Sequence, residues 1–210
     1  MADTTEFKGD QKAMIPLSEK LLSPMILAGS LTLCAAAAFA APPGELPFGV
    51  YDPEGEFSDD PDVSIEHLFL PWEDVFLPSL FEADTYARER NRSVLVTIEP
   101  WTWTRSERNT PSALLSGIND GSYDGNMRTI CAILDEFESP VTVRWAHEMD
   151  DTSGQFIWAG WEPQVYIDAY RQMIDICREE ADEIDYMWSP LGFENMADYF
   201  PGQEYVDVVG

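Results

Sequence analysis

The stretch that decides the fold runs from residue 141 to residue 161 and reads VTVRWAHEMDDTSGQFIWAGW. Its first three residues are β-branched and follow a proline, which predicts a buried β-strand. Arg144, His147 and Glu148 come next, and each of these side chains is costly to bury unless another group pairs with it. The pattern therefore predicts a strand that ends in a cluster of functional polar side chains.

Two of these residues are expected to work together. Side chains alternate along a strand, so Arg144, Ala146 and Glu148 should share one face. A hydrogen bond from Arg144 would orient the Glu148 carboxylate and favour its ionised form, whereas an apolar wall of tryptophan would favour the protonated form. A carboxyl group balanced in this way suits general acid–base catalysis. The competing interpretation is a structural Arg–Glu pair that closes the strand end.

Hydrophobic periodicity predicts further strands and helices on both sides of this stretch. The other strands are predicted at Leu46–Asp52, Ser64–Phe69, Ser93–Glu99, Ile184–Trp188 and Tyr205–Val209. Helices are predicted at Leu77–Asn91, Ser122–Phe137 and Pro163–Ala181, with a short helical piece at Met196–Phe200. The segment between the third strand and the second helix is predicted to be a loop, because it is rich in Thr, Asn and Ser.

Strands that alternate with helices predict a parallel sheet with right-handed crossovers. Several predicted strands end in polar or aromatic residues, as in a (β/α)8 TIM barrel, whose chemistry collects at the carboxyl ends of its strands. A doubly wound open sheet is the alternative, but no glycine-rich nucleotide fingerprint follows any predicted strand. Eight β/α units typically need about 250 residues, and only about six are found. The expected fold is therefore an incomplete α/β barrel in a C-terminally truncated chain, with strands seven and eight missing.

Residues 1–41 are predicted to be a leader, and residues 42–210 the partial barrel domain. An apolar run follows Lys20, and Ala38-Phe39-Ala40 fits a signal-peptidase site before Ala41. The protein is therefore expected to be secreted or periplasmic. An uncleaved anchor formed by residues 20–41 is the alternative, because the run is long enough to span a bilayer, and only this case would place the protein on a membrane.

The charge of the chain excludes some partners. There are 39 acidic and 12 basic residues, which gives a formal net charge of −27. Nucleic acid and anionic membrane surfaces are therefore repelled rather than bound. A neutral polysaccharide is compatible with this field. Solubility in high salt is the simplest explanation for most of the carboxylates.

Cys131 and Cys177 both fall in predicted helices. Neighbouring helices would bring the two thiols to similar heights, so a disulfide is one reading. Two buried free thiols are the other, and they are the expectation because cysteine is an ordinary core residue.

The sequence HEMDD invites a metal-site interpretation, but a zinc-binding H-E-x-x-H motif needs a second histidine where Asp151 stands. The only other histidine, His67, lies on another predicted strand. The acidic segment 58–62 does not have EF-hand spacing, and a solvated acidic turn explains it better. No G-x-S-x-G elbow surrounds Ser153. The sequence therefore predicts no metal and no cofactor.

The aromatic residues favour a carbohydrate cleft. Indole faces stack on the C–H faces of sugar rings, and several tryptophans at one rim are more than core packing requires. Five fall at or after predicted strand ends: Trp101, Trp103, Trp158, Trp161 and Trp188. Tyr51 closes the first strand in the same way. Glycoside hydrolysis needs two carboxyl groups, and Glu99, at the end of the adjacent strand, is the nearest candidate to accompany Glu148.

Taken together, RWAHEMDD, the downstream FIWAGW, and the upstream TIEPW and GSYD resemble glycoside hydrolase family 26, the β-mannanase family. The resemblance covers about residues 46–210. It implies a retaining (β/α)8-barrel enzyme in which Glu148 is the acid/base and His147 helps to position substrate and carboxyl groups. Arg144 also matches the family pattern, and Trp158 stands where the family places a sugar-stacking tryptophan. Asp150 replaces an asparagine.

The sequence also departs from the family pattern, because it lacks a counterpart of the family's nucleophile. The nucleophile of the family is a glutamate at the end of the seventh strand, which has no counterpart in this sequence, and Glu99 on the third strand cannot inherit that role. The expectation is a monomeric, exported, endo-β-mannanase-like hydrolase of β-mannan or β-glucan whose chain, as it stands, lacks its nucleophile. Two alternatives remain: a non-catalytic carbohydrate-binding remnant, and an anchored envelope protein without a role in sugar binding.

Overall fold

A computed structural model describes residues 47–73, 75–102 and 104–210, which form one parallel sheet with helices beside it. The predicted leader at residues 1–41, with its signal peptide or anchor, lies outside the described residues, as does Trp103. No helix in the described part of the chain combines the length and the apolar character needed to cross a bilayer.

The six strands follow one another in the sheet in chain order, and every neighbouring pair is parallel. They are β1 (Phe48–Val50), β2 (Val63–Pro71), β3 (Ser93–Glu99), β4 (Val141–Trp145), β5 (Ile184–Trp188) and β6 (Val208–Val209). A doubly wound sheet reverses its strand order at a switch point, whereas a (β/α) barrel never does. The predicted incomplete barrel is therefore confirmed and the doubly wound alternative is excluded.

Four α-helices accompany the strands: α1 (Pro78–Glu89), α2 (Pro111–Asn119), α3 (Asp124–Leu134) and α4 (Pro163–Arg178). Helix α4 buries the face predicted from its 3.6-residue periodicity, including Tyr170, Met173 and Ile174. Helix α2 contradicts the sequence prediction of a loop between β3 and α3. The Thr110 hydroxyl caps this helix by accepting from the Ala113 N–H at 3.2 Å.

Several short elements differ from their predictions. Residues predicted as a short helix form a 3₁₀ turn at Met196–Tyr199, and a second 3₁₀ turn, Gln203–Tyr205, precedes the two-residue strand β6. Strand β1 is likewise shorter than its hydrophobic pattern. Strands β1 and β6 are the outer strands of the described sheet, where only one neighbouring strand imposes a regular conformation.

Helices α3 and α4 are joined by a disulfide between Cys131 and Cys177, whose Cα atoms lie 5.3 Å apart. The expectation of two free thiols is therefore wrong, and the alternative is the observed state. Both cysteines lie on the buried faces of their helices, as their periodicity predicts, and the close packing of α3 on α4 brings them together.

The register of the sheet aligns one residue from each of four strands in a single row. Phe69 lies opposite Thr97, Thr97 opposite Arg144, and Arg144 opposite Met187. Each of these residues is close to the carboxyl end of its strand. The sheet therefore brings polar groups that are distant in sequence to one end, where the chemistry of (β/α) barrels takes place.

Candidate active site

Glu148 lies just beyond the carboxyl end of β4, in a backbone conformation that strand alternation does not describe. The strand ends at Trp145, and Ala146 and Glu148 have positive φ angles of 45° and 54°. Non-glycine residues seldom adopt such angles, and they concentrate at functional sites. The Glu148 N–H donates to the Ser189 carbonyl at 2.7 Å, which attaches the turn to the end of β5. The prediction that Arg144, Ala146 and Glu148 continue one strand face is therefore wrong.

The Glu148 carboxyl is half-buried, and burial raises its pKa. The Arg144 guanidinium acts in the opposite direction, while Asp151 and Asp150 add to the increase. Within the described residues, no hydrogen bond or close ion pair joins Arg144 to Glu148, so the predicted direct contact is absent. The influence of Arg144 on this carboxyl is electrostatic and acts over a longer distance.

Arg144 is instead held by neutral groups on β2 and β3 and by Ser189, which follows β5. Its Nε donates to Thr97 Oγ1 at 2.7 Å, and its terminal nitrogens lie 3.3 Å from His67 Nε2 and 3.4 Å from Ser189 Oγ. Burial lowers the pKa of Arg144, while Glu148 and Glu99 oppose this change. The guanidinium thus remains a positive charge whose nearest carboxylates lie outside ion-pair distance.

The surroundings of His67 identify which of its ring nitrogens carries the proton. Arginine has no acceptor, so the close approach of Arg144 requires His67 Nε2 to be unprotonated. Thr97 Oγ1, which accepts from Arg144 Nε, can then donate its own hydrogen to His67 Nε2 over 2.8 Å. Burial, and then Arg144, lower the pKa of His67 to about 4. The ring is therefore neutral at ordinary pH.

His147 is also neutral. Burial is the main cause, followed by Arg144 and His67, and together they lower its pKa to about 3. Its ring packs against Phe156, with centroids 4.8 Å apart, and its buried Nδ1 has no hydrogen-bond partner among the described residues. A buried ring nitrogen without a partner is costly.

Glu99, at the end of β3, is a second carboxyl with a raised pKa, again because of burial. Trp101 Nε1 donates to its Oε2 at 3.0 Å, and this bond, with Arg108 and Arg144, opposes the increase. The Arg108 guanidinium lies over the Trp101 ring, 3.2 Å from the centroid. Arg144 therefore acts on both candidate carboxyls, Glu99 and Glu148.

These groups line an open cleft of about 920 Å³ at the carboxyl end of the sheet. Glu148, Glu99, His147 and Trp101 all contribute to its surface, as the sequence predicts. Sequence reasoning did not identify the remaining lining residues, which are Phe69, Arg105, Arg108, Asn109 and the loop residues Ser153–Ile157. None of these has a sequence motif; they are brought together by the ends of β2 and β3 and by the loop after β4.

The predicted rim of sugar-stacking tryptophans needs correction. The exposed fractions are 5% for Trp101, 0% for Trp158, 8% for Trp161 and 6% for Trp188. Trp158 is enclosed by Trp101 and Phe156, and its Nε1 donates to the His147 carbonyl at 2.7 Å. It therefore supports the site from behind and offers no free face to a sugar.

Tyr51 differs from the tryptophans because its ring is exposed. It follows β1, and it contacts the Phe69 ring edge-on with centroids 5.2 Å apart. Phe69 in turn lines the cleft and lies 6.1 Å from His147 between ring centroids. Tyr51 thus extends the aromatic surface of the cleft towards the first strand.

Asp150, which stands in place of the asparagine expected from the resemblance, anchors the loop after β5. Its buried carboxylate accepts the backbone N–H groups of Leu191, Gly192 and Phe193 at 2.6, 3.0 and 2.8 Å. Two carboxylate oxygens can accept three donors, whereas an asparagine would offer only one acceptor oxygen. This substitution is therefore explained by a structural role beside Glu148.

No group of three or more His, Cys, Asp or Glu side chains in the described part of the chain is arranged to hold a metal ion. The arrangement instead offers two carboxyls with raised pKa, a nearby positive charge and two neutral histidines. Such a set of groups can move protons without a cofactor.

Comparison with known proteins agrees with this geometry. Residues 123–210 match the sequence model of Glycosyl hydrolase family 26. A β-1,3-xylanase, TXYA, from a Vibrio species is 30% identical over 115 residues, which are 47% of this chain and 24% of that protein. The resemblance inferred from the sequence is therefore confirmed over residues 123–210.

Solved structures with the same fold include the β-mannanase BoMan26A of Bacteroides ovatus, with a TM-score of 0.55 and 16% identity, covering 70% of this chain and 51% of that one. The catalytic domain of an endo-β-1,4-mannanase from Bacillus sp. JAMB-750 gives a TM-score of 0.59 at 16% identity, with coverage of 70% and 46%. At these identities the likeness shows the fold alone. The chain spans about half the length of these structures.

Proposed function

We propose that this chain, which is related to glycosyl hydrolase family 26, forms part of a glycosidase that cleaves β-glycans with Glu148 as its general acid and base. The observation that carries the proposal is the Glu148 carboxyl itself. It is half-buried in the cleft at the carboxyl end of the sheet. Burial raises its pKa, and the charge of Arg144 opposes this increase. Such a group can keep a proton for the leaving oxygen and later, as a carboxylate, activate water.

The surrounding groups support these two steps. The neutral His147 and His67 do not compete as acids, because their pKa values of about 3 and 4 leave them without a dissociable extra proton at neutral pH. The Arg144 charge stabilises the Glu148 carboxylate once the proton has left. His147 and the exposed Tyr51 ring are proposed to contact substrate, a polysaccharide such as β-mannan or β-glucan. The xylanase and mannanase names of the relatives support a β-linked backbone.

The second carboxyl of the reaction is a separate proposal. Among the described cleft residues, Glu99 is the other glutamate besides Glu148, and it lies at the end of the neighbouring strand β3. Its carboxyl accepts a hydrogen bond from Trp101 and is influenced by the charge of Arg108. We propose that Glu99 contacts substrate and is not the nucleophile. A retaining mechanism would then need a carboxyl from outside the described cleft.

Hydrolysis assays test the proposal. The chain and its Glu148→Gln variant would be incubated with β-1,4-mannan, β-1,3-xylan and mixed-linked β-glucan, and reducing ends and anomeric configuration would be measured. Loss of the acid/base is expected to lower any turnover by about 10²- to 10⁴-fold, the usual contribution of a positioned proton donor. The matched control is Glu136→Gln, an exposed carboxyl outside the cleft, which should retain full turnover.

The outcomes separate the alternatives. Turnover that survives Glu148→Gln would remove Glu148 from the mechanism. Turnover with retained configuration, abolished by Glu148→Gln, would show that a carboxyl group of this chain acts as the nucleophile. Binding to one of the glycans without hydrolysis would favour the carbohydrate-binding remnant.

Export through a cleaved signal peptide is also proposed. It is supported by the disulfide between Cys131 and Cys177, since disulfides persist mainly in oxidising compartments. Mass spectrometry of the mature N-terminus provides the test. Cleavage after Ala40 is expected, whereas an intact segment 20–41 would favour the membrane anchor.

A further inference from the structure

Two cleft arginines, Arg105 and Arg108, lack an ion-pair partner among the described residues of this strongly acidic chain. Among the described residues, neither forms an ion pair with a carboxylate, although the chain has 39 acidic residues. Five other arginines each lie within 4 Å of a carboxylate: Arg88, Arg90, Arg92, Arg128 and Arg171. Carboxylates are therefore plentiful in this protein, but they do not pair with these two side chains.

The Arg108 side chain is held with most of its donors free. Its guanidinium lies over the Trp101 ring, and its Nε donates to the Thr102 carbonyl at 3.1 Å. No described residue accepts from its two terminal nitrogens. Because Arg108 covers this indole face, a sugar ring cannot stack there, and the site offers forked N–H donors in place of an aromatic surface.

Arg105 lies on the same rim, in the 3₁₀ turn Arg105–Glu107, and its exposed side chain has no hydrogen-bond partner among the described residues. The two arginines are close enough for Arg105 to oppose the charge on Arg108, which places like charges together at the cleft. Glu99 compensates part of the charge on Arg108, and Glu107 in the same turn is exposed but pairs with neither arginine. The pair is thus available to a ligand.

The charge of the cleft differs from that of the whole chain. Its ionisable carboxyls and arginines are Glu99, Glu148, Arg105 and Arg108, which balance each other, whereas the chain carries −27. Arg144 adds a further positive charge behind Glu148. An anionic group would be repelled by the general surface but not by this part of the molecule.

We propose that Arg105 and Arg108 form a subsite for an anionic substituent, a carboxylate or a sulfate ester, on the β-glycan that occupies the cleft. The inference rests on the proposed function and narrows its substrate class from neutral to acidic β-glycans. Planar guanidinium groups match the paired oxygens of both substituents, and charge-assisted hydrogen bonds of this kind are roughly twice as strong as neutral ones. The subsite follows β3 and lines the same cleft as Glu148, so the substituent would be on a sugar bound in that cleft.

Binding measurements on the inactive Glu148→Gln protein test this inference. Isothermal titration calorimetry would compare neutral oligosaccharides of β-1,4-mannan, β-1,3-xylan and mixed-linked β-glucan with their sulfated forms and, for mannan and glucan, with forms oxidised at C6 to uronic acids. At least one acidic form is expected to bind about tenfold more tightly than its neutral parent. Adding Arg105→Gln or Arg108→Gln should abolish this preference while neutral binding persists. Arg88→Gln is the control, because Arg88 is exposed and pairs with Glu138 away from the cleft.

The two acidic forms also identify the anionic substituent. Tighter binding of the uronate would indicate a carboxylate, and tighter binding of the sulfated form would indicate a sulfate ester. Equal affinity for neutral and acidic forms, or a preference that survives both arginine substitutions, would overturn the subsite while leaving the glycosidase proposal intact. Failure of every oligosaccharide, neutral or acidic, to bind would overturn the proposed function as well. Circular dichroism of each variant confirms that the arginine changes leave the fold unaltered.

Discussion

Two arginines at opposite ends of the strands, the buried Arg92 and the half-buried Arg144, differ in what surrounds them. Arg92 precedes β3 and pairs with the Glu66 carboxylate, and it also donates to three backbone carbonyl groups. Arg144, near the end of β4, is held by two hydroxyl groups and the neutral His67 ring. The charge of Arg92 is therefore compensated by an adjacent carboxylate, whereas the charge of Arg144 is not and acts on more distant groups.

The difference distinguishes the two ends of the strands: one end contains a buried ion pair, and the other contains an unpaired charge beside the cleft. The Arg92 and Glu66 side chains are only 3% and 9% exposed. The charge of Arg92 is therefore compensated within this buried pair. The unmatched charge of Arg144 alters the pKa of four groups in the cleft: Glu99, Glu148, His67 and His147. A structural Arg–Glu pair was the competing interpretation of residues 144–148, and the structure contains such a pair, but at the opposite end of the strands.

The largest effect on stability is expected from Arg92→Met. This change leaves the Glu66 carboxylate buried without its partner, and breaking a buried pair in this way typically costs about 3–5 kcal/mol of unfolding free energy. Urea unfolding would measure it. Arg88→Met is the matched control, because Arg88 and Glu138 are exposed and such pairs contribute about 0–1 kcal/mol. A loss below about 1 kcal/mol for Arg92→Met would show that the ion pair between Arg92 and Glu66 is not important for the stability of the fold.

The sequence predicted the central strands well and the environment of Arg144 poorly. Strands β3 and β5 have the predicted limits, because short β-rich runs bounded by breakers leave little ambiguity. The partners of Arg144 lie on β2 and β3 and just after β5, so no local spacing could indicate them. The same long-range packing decides that Trp158 is enclosed rather than exposed at the rim.

Helix α2 shows a signal that was present but not used. Thr110 followed by Pro111 is a typical helix start, with a capping hydroxyl and proline in the first turn. The polar composition of the segment favoured a loop instead. The residue types after β4 predicted that Glu148 lines the cleft, but they did not predict the positive φ angle of its backbone.

The next largest effect concerns the pH dependence of stability. The folded pKa of His147, about 3, lies below its ordinary value of 6.5, so the unfolded chain takes up a proton first as the pH falls. The stability associated with the neutral ring is present above pH 6.5 and is lost progressively below it. From pH 7 to pH 4 we expect the contribution of His147 to the free energy of unfolding to fall by about 2–3 kcal/mol, after discounting for partial solvation.

The raised pKa values of Glu99 and Glu148 change stability in the opposite direction, so the contribution of His147 must be isolated by comparison with a variant. Urea unfolding of wild type and His147→Gln at pH 7, 5.5 and 4 would give the difference in free energy at each pH. We expect the wild type to lose more stability than the variant as the pH falls. Parallel curves would show that His147 is not held neutral by its surroundings.

The smallest effect on stability is expected from Arg144→Met, which is the direct counterpart of Arg92→Met. No carboxylate within ion-pair distance among the described residues depends on Arg144, so the variant should lose only about 1–2 kcal/mol from hydrogen bonds to a charged donor. The change should appear instead in the cleft. Because Arg144 lowers the pKa of Glu148 and Glu99, removing it should raise both, which ¹³C NMR titration of the glutamate carboxyl groups would detect. Arg90→Met, which removes an arginine remote from both carboxyls, should leave these titrations unchanged. A stability loss as large as that of Arg92→Met, with unchanged carboxyl titrations, would mean that Arg144 is a second structural arginine and that the poise of Glu148 has another source.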